Sequence, residues 1–152
     1  MARSDLDAKW MALALEEARK AYAAGQCPVG AVVVRGEELL ATAGNMERAV
    51  HDATAHAEIL AMRAAGRKLG NHKLRGCTVY TTLEPCPMCE AAMLQAEVSR
   101  VVSGGRTFGW IRKVRFNPAA LAKEGPIMDQ ECRGIFRQWL VETGRTHILE
   151  EE

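Results

Sequence analysis

An apolar, β-branched run lies between two stretches with the three-and-four spacing of amphipathic helices, and this alternation limits the fold more than any other feature of the chain. Residues 5–24 place Trp10, Leu13, Ala14, Ala18 and Ala21 on one helical stripe, with Gly25 as a stop. Pro28-Val29-Gly30-Ala31-Val32-Val33-Val34 reads as a strand, Arg35-Gly36-Glu37-Glu38 as its turn, and residues 39–43 as the returning strand of a hairpin. Thr54 precedes an Ala-, Leu- and Met-rich stretch that runs to Leu69 and closes at Gly70-Asn71, which predicts a second helix with His56 and Glu58 near its start. A strand over 77–82, a helix over 88–96, a strand over 99–103 and a last helix over 129–141 follow. Gly104-Gly105-Arg106-Thr107-Phe108-Gly109-Trp110 reads as a loop, and Glu150-Glu151-Glu152 as an acidic end. Strands interleaved with helices and opened by a hairpin predict an α/β fold, a layered sandwich around a mixed sheet.

With 152 residues the chain is expected to form one domain, residues 1–152, with enough interior to fold without disulfides. Its 48% hydrophobic and 26% charged residues exclude the disordered and collagen-like classes. Twenty Lys and Arg against nineteen Asp and Glu give a formal net charge of +1, so the composition shows no basic excess of the kind that goes with a large phosphate-binding surface. No window approaches the ~18 consecutive apolar residues of a membrane span. The first residues lack an apolar signal core and the five cysteines are odd in number, so a cytoplasmic protein with reduced thiols is expected.

The chemistry-bearing residues fall at two predicted helix starts. His56-Ala57-Glu58 and Pro85-Cys86-Pro87-Met88-Cys89 together offer one nitrogen and two sulfur ligands. A tetrahedral zinc ion held by three protein ligands keeps a fourth position for water, which separates a catalytic site from a closed structural one. Helix N-termini favour the anionic thiolates. Water on such an ion loses a proton near neutrality, and Glu58, two residues from His56 and not needed as a ligand, is placed to move that proton. A redox dithiol is the rival reading of Cys86 and Cys89, but it leaves His56 and Glu58 unused; a zinc-stabilised binding module without activity would keep the cysteines and need no Glu58. Cys27, Cys77 and Cys132 lie in apolar patterns and read as small hydrophobes, and His51 and His72 read as loop residues.

The pairing of His-x-Glu with Pro-Cys-x-x-Cys is a zinc-deaminase pattern, and at these residues the chain resembles the cytidine deaminase-like superfamily over nearly its whole length. Thr54-Ala55-His56-Ala57-Glu58 and the segment from Thr81 to Cys89 resemble the two zinc motifs; Pro28-Val29-Gly30-Ala31 and Gly44-Asn45-Met46 resemble the substrate-pocket strand and asparagine turn. The resemblance implies an α/β/α sandwich around a five-stranded sheet and a homodimer or higher oligomer. It also implies one zinc ion per chain on His56, Cys86 and Cys89, with Glu58 as the proton shuttle. Asn45 and the Ala57 backbone N–H are implied to hold the substrate's amide edge, within a pocket that also takes in Val29, Glu84, Phe108, His147 and Glu150. Apart from the family, Asn45 in a Gly-Asn turn reads as a backbone device.

Within the superfamily, the first hundred or so residues resemble both tRNA adenosine deaminases and free-base deaminases. The carboxyl-terminal third is more similar to fungal cytosine deaminase, in the position of Phe108 and in Asp129-Gln130-Glu131-Cys132 at the start of the last helix. The tRNA enzymes typically have a different loop after the strand over 99–103 and a basic last helix, and a terminal glutamate run would repel an RNA backbone. The sequence expectation is therefore a hydrolytic deaminase that releases ammonia from a free aminated heterocycle of cytosine, guanine, isocytosine or amino-triazine type, a small-molecule partner. The alternative is a tRNA-specific adenosine-to-inosine deaminase. Phe108 and Trp110 also read as plain packing, and the glutamates as a solvated end.

Overall fold

The computed structural model describes residues 2–108 and 121–151. Helix α1 (Arg3–Ala23) leads into the hairpin β1 (Gly30–Arg35) and β2 (Glu38–Gly44), followed by the single turn α2 (Glu47–Val50), helix α3 (Ala57–Leu69) and strand β3 (Cys77–Leu83). Helix α4 (Pro87–Gln95), strand β4 (Arg100–Gly105), the two-residue strand β5 (Lys123–Glu124), helix α5 (Asp129–Glu142) and a 3-10 segment (Thr146–Glu151) complete the order. The sheet has five strands in the order β2-β1-β3-β4-β5. Its first two pairings are antiparallel and its last two parallel, the mixed sheet of a cytidine deaminase-like α/β fold.

Strand alternation divides the interior between the two faces. Ala31, Val33, Val79 and Val101 point to one side, where they meet Ala57, Ala61 and Ala65 of α3 and Met93 of α4. Val32, Val34, Tyr80 and Val102 point to the other, against Trp10, Met11, Ala14 and Ala18 of α1 and Cys132 of α5. The continuous valine run of β1 is thereby buried on both faces. Gly30 lets α1 lie directly on the sheet: a Cβ there would stand 1.9 Å from the Ala14 carbonyl oxygen.

The helix and strand expectations over 5–24, 28–34, 39–43, 77–82, 88–96, 99–103 and 129–141 all meet elements of the same type, displaced by a few residues at their ends. Three differences have physical causes. Gly104 and Gly105 continue β4 where glycine composition suggested a loop, because a Cβ on Gly104 would lie 2.5 Å from Cys132 Sγ and 2.8 Å from Met11 Sδ. The second helix begins at Ala57 with His56 as its N-cap, not at Thr54, whose hydroxyl and N–H both donate to Asp52 Oδ1. The short elements α2 and β5 have no periodicity to announce them. Gly109 and Trp110, the last two residues of the predicted loop, lie outside the described residues. Among the described residues no helix is long and apolar enough to cross a membrane.

An ion pair at the foot of the sheet joins α1 to β3 and β4. Arg100 Nη1 and Nη2 donate to Asp7 Oδ1 and Oδ2 at 2.9 and 2.6 Å, and the Tyr80 hydroxyl donates to Oδ1 at 2.6 Å. The Arg100 and Asp7 side chains are 16% and 14% exposed, so the pair is largely shielded from solvent. The hydrogen bonds from Arg100 hold the Asp7 carboxyl below its usual value. Asp7→Asn is accordingly expected to lower unfolding stability at neutral pH by about 2–3 kcal/mol in denaturant titrations. A carboxylate whose folded pKa is depressed stabilises above its unfolded pKa, and that contribution is lost as pH falls. The gap between wild type and variant should therefore close as pH drops below 3.8 toward the depressed folded value; a gap that stays constant on acidification would rule the ion pair out as its source.

Candidate active site

The sequence around His56 and Cys86 folds so that two helices begin at one point. His56 is the N-cap of α3 with extended backbone (φ −75, ψ 151), and Cys86 is the N-cap of α4 with Pro87 following it in the first turn. The His56 ring makes no hydrogen bond to its own helix end. His56 Nδ1 instead stands 3.6 Å from Cys86 Sγ and 3.5 Å from Cys89 Sγ. All three donor atoms lie within 4.8 Å of one another. The free N–H that His56 leaves at the start of α3 is met from outside: Ala57 N–H donates to Asn45 Oδ1 at 2.7 Å.

The charges in this cluster follow from its contacts. The Cys86 thiol is pulled down to about 4, first by its hydrogen bond with the Cys89 thiol, against burial, and then by His56. Cys89 is pushed up, first by Cys86 and then by burial. His56 is raised to about 9, first by its hydrogen bond with Cys86. Two thiols and an imidazole that share protons in this way are donors from which a cation displaces protons on binding. Two soft sulfurs and one imidazole suit zinc and leave one coordination position open.

Glu58, in the first turn of α3, is 4% exposed, and its Oε1 has no hydrogen-bond partner among the described residues. Burial raises its pKa above the ordinary carboxyl value, partly offset by its own backbone N–H and by His56. A buried, unpartnered carboxyl oxygen beside three metal donors has the geometry of a proton carrier.

The cluster forms the floor of a cavity of about 530 Å³. Val29, Asn45, Glu84, Phe108 and His147, which the resemblance implied for a substrate pocket, all line it. Their contacts modify several of the expected roles. Asn45 Oδ1 is engaged by Ala57 N–H and its Nδ2 donates to Glu47 Oε1 at 2.8 Å, so the amide that was expected to hold substrate braces the start of α3. The Ala57 N–H, expected beside the substrate, is occupied by the same bond, and Ala57 is not part of the cavity wall. Phe108 is 1% exposed, stacked on Phe136 at 5.0 Å between centroids and covered by the Arg133 guanidinium, so its ring packs the wall and has little surface left for a substrate. Val29 accepts Asn45 N–H through its carbonyl, and Glu84 N–H donates to the Gly105 carbonyl. The Glu150 side chain lies outside the described residues, while His147 and Ile148 of the 3-10 segment close one side of the cavity.

Sequence reasoning missed Glu47, whose Oε2 lies 3.4 Å from His56 Nε2. Its place two residues after Asn45 was the available signal. It also missed the mouth, where Arg48 and Arg145 lie over the Trp139 ring at 5.6 and 4.8 Å from its centroid. Cys27 lines the cavity as a neutral thiol, raised to about 12 chiefly by burial, and Cys77 and Cys132 are buried as expected.

Comparison with known proteins adds to this geometry. The family model of the cytidine and deoxycytidylate deaminase zinc-binding region matches residues 4–105. The tRNA-specific adenosine deaminase of Bacillus subtilis is 37% identical over 85% of this chain and 85% of its own length. A solved structure from studies of A-to-I editing by tRNA:A34 deaminases at the wobble position superposes with a TM-score of 0.76 at 34% identity, covering 84% of this chain and 99% of that one. The solved guanine deaminase of Bacillus subtilis is similar over less, with a TM-score of 0.64 at 33% identity and coverage of 70% and 66%. These relatives overturn the free-base expectation. The argument behind it rested on the carboxyl-terminal third and the terminal glutamates, which do not register that Arg48 and Arg145 both lie against Trp139 at the cavity.

His56→Ala, Cys86→Ala and Cys89→Ala are each expected to bring zinc well below one ion per chain in elemental analysis of the purified protein, with the sheet and helices retained by circular dichroism. A variant that keeps full zinc takes its residue out of the donor set.

Proposed function

The chain belongs to the cytidine and deoxycytidylate deaminase zinc-binding family and is a zinc-dependent hydrolytic deaminase, and from that premise we propose that it converts adenosine to inosine in transfer RNA. The observation behind the substrate is the match to tRNA-specific adenosine deaminases over most of both chains. The mouth of the cavity supports it. An aromatic ring with two guanidinium groups against it brings together groups suited to nucleotide bases and phosphates. A cavity of about 530 Å³ admits one base, so the target nucleotide has to be turned out of its stack to enter.

In this proposal His56, Cys86 and Cys89 hold the ion, and zinc when bound supplies Lewis-acid polarisation of the attacking water. Glu58 takes one proton from that water and passes it to the ring nitrogen beside the reacting carbon, then takes the remaining proton from the added hydroxyl and delivers it to the departing amine. A C–O bond forms at the purine carbon, the exocyclic C–N bond breaks, and ammonia leaves. Burial keeps Glu58 able to retain a proton between these transfers. The Phe108–Phe136 wall and Ile148 keep bulk water from the floor. Arg48 and Arg145 attract the flanking phosphates. One domain over residues 1–152, a homodimer and a cytoplasmic location complete the proposal.

The zinc-loaded protein is expected to form inosine in an anticodon stem-loop, scored by nucleoside chromatography. Glu58→Gln should keep its zinc and fold and lose on the order of a hundredfold or more in kcat. Loss of zinc with an unchanged rate per bound ion would contradict the role given to Glu58, and failure of the wild type on any tRNA stem-loop would contradict the substrate. Stem-loop binding should weaken steeply with salt, and Arg48→Ala and Arg145→Ala should each reduce the slope of log affinity against log salt by about 0.7, the contribution of one neutralised phosphate on a single strand. Slopes equal to wild type in both variants would remove the arginines from the interface.

A further inference from the structure

A second carboxylate faces the metal donors from the side opposite the sulfurs. His56 Nδ1 is directed at Cys86 and Cys89, so its other ring nitrogen, Nε2, points away from them, and Glu47 Oε2 lies 3.4 Å from it. The other oxygen of the same carboxylate, Oε1, accepts from Asn45 Nδ2 at 2.8 Å, while Asn45 Oδ1 accepts from Ala57 N–H at 2.7 Å. Ala57 follows His56 in the chain, so the path from the imidazole through Glu47, Asn45 and the Ala57 backbone returns to its starting residue. Asn45 thus bonds the Glu47 carboxylate to the first peptide of α3, and the other oxygen of that carboxylate stands beside the His56 ring.

The donor and acceptor roles around the loop are fixed by chemistry. A neutral imidazole that gives the Nδ1 lone pair to a metal carries its proton on Nε2 and presents a donor there. Asn45 also presents a donor, because its oxygen is committed to Ala57. Two donors face one side chain, and only a carboxylate supplies an acceptor to each. Glutamine at this position keeps the length and volume but accepts from one neighbour and opposes the other with an amide N–H. Asparagine and aspartate are one methylene shorter and do not span the gap.

We propose that Glu47 is a positioning residue for the metal site: its carboxylate holds His56 Nε2–H, fixes the plane of the ring and strengthens its hold on the ion. Metal-binding histidines gain affinity from such partners on their second nitrogen. Glu47 stands in the first turn of α2, and α2 joins β2 to α3 through the segment that ends at His56. The loop thereby also couples the asparagine turn to the metal donors. This inference rests on the zinc site and not on the identity of the substrate, so its test is read on the metal.

The test is a chelator competition that measures the zinc dissociation constant of wild type, Glu47→Ala and Glu47→Gln, with the absorption spectrum of each protein carrying cobalt(II) in place of zinc. Glu47→Ala is expected to weaken zinc binding by about 10–100-fold. Glu47→Gln should fall between the two, because one acceptor survives, and the cobalt bands of both variants should shift as the ring reorients. Zinc constants within twofold of wild type together with unchanged cobalt spectra in both variants would overturn the proposal. A raised KM for the nucleic acid with zinc affinity unchanged would also overturn it and assign Glu47 to substrate contact instead. If Glu47→Ala fails to fold, the glutamine variant decides alone by the same two readings.

Discussion

The site depends on two helices that start at the same place. A histidine and a cysteine serve as N-caps of α3 and α4; the His56 ring makes no bond to its own helix, and the Cys86 sulfur is shared with Cys89 and His56. Both turn toward the shared space between the helix ends, where the partial positive charge of unpaired N–H groups favours thiolate over thiol. The sheet makes this convergence rigid. α3 rests on β1 and β2, α4 follows directly from the end of β3, and the parallel pairing of β3 with β4 fixes where β3 ends. The helix end that His56 leaves uncapped is completed by Asn45 from the end of the hairpin, so capping is satisfied by tertiary structure and the metal donors remain available.

The division of labour at the cavity follows from burial. On the floor, Glu58 and Cys89 are buried and Cys86 is half-buried, and an unpartnered buried carboxyl oxygen such as Glu58 Oε1 is costly unless a ligand or a reaction uses it. At the mouth, Arg48 is exposed and Trp139 and Arg145 are half-buried, which suits attraction of a partner more than chemistry. The aromatic ladder from Phe108 through Phe136 to Trp139 connects the two regions along one face of α5. The fold thus separates a dry reacting end from a wet binding end across one cavity.

Much of this was legible in the sequence because local chemistry and local structure coincide there. His-x-Glu and Cys-x-x-Cys fall at helix starts, and the spacing that makes them ligands is the same spacing that places them in a first turn. The valine run of β1 and the alanine-rich face of α3 likewise state their burial directly. Roles that arise only from tertiary approach were hidden. Glu47 and Asn45 acquire theirs from the return of the chain to Ala57, and Arg48, Trp139 and Arg145 meet across more than ninety residues of sequence. Glycine misled at Gly104, where it serves close packing against Cys132 and Met11 and not flexibility. The carboxyl-terminal third misled most of all, since its likeness to cytosine deaminase and its glutamate end say nothing of the arginines that tertiary structure brings to Trp139, and a net charge of +1 describes no particular surface.

The central claim is that this cavity hydrolyses the amine of an adenosine presented by transfer RNA. The most direct measurement is mass spectrometry of nucleosides from unmodified tRNA treated with the zinc-loaded protein in water enriched in heavy oxygen. The account predicts inosine that carries one heavy oxygen, with one ammonia released for each inosine formed. Unlabelled inosine, or tRNA returned with its adenosines intact by protein that holds its full zinc, would contradict it.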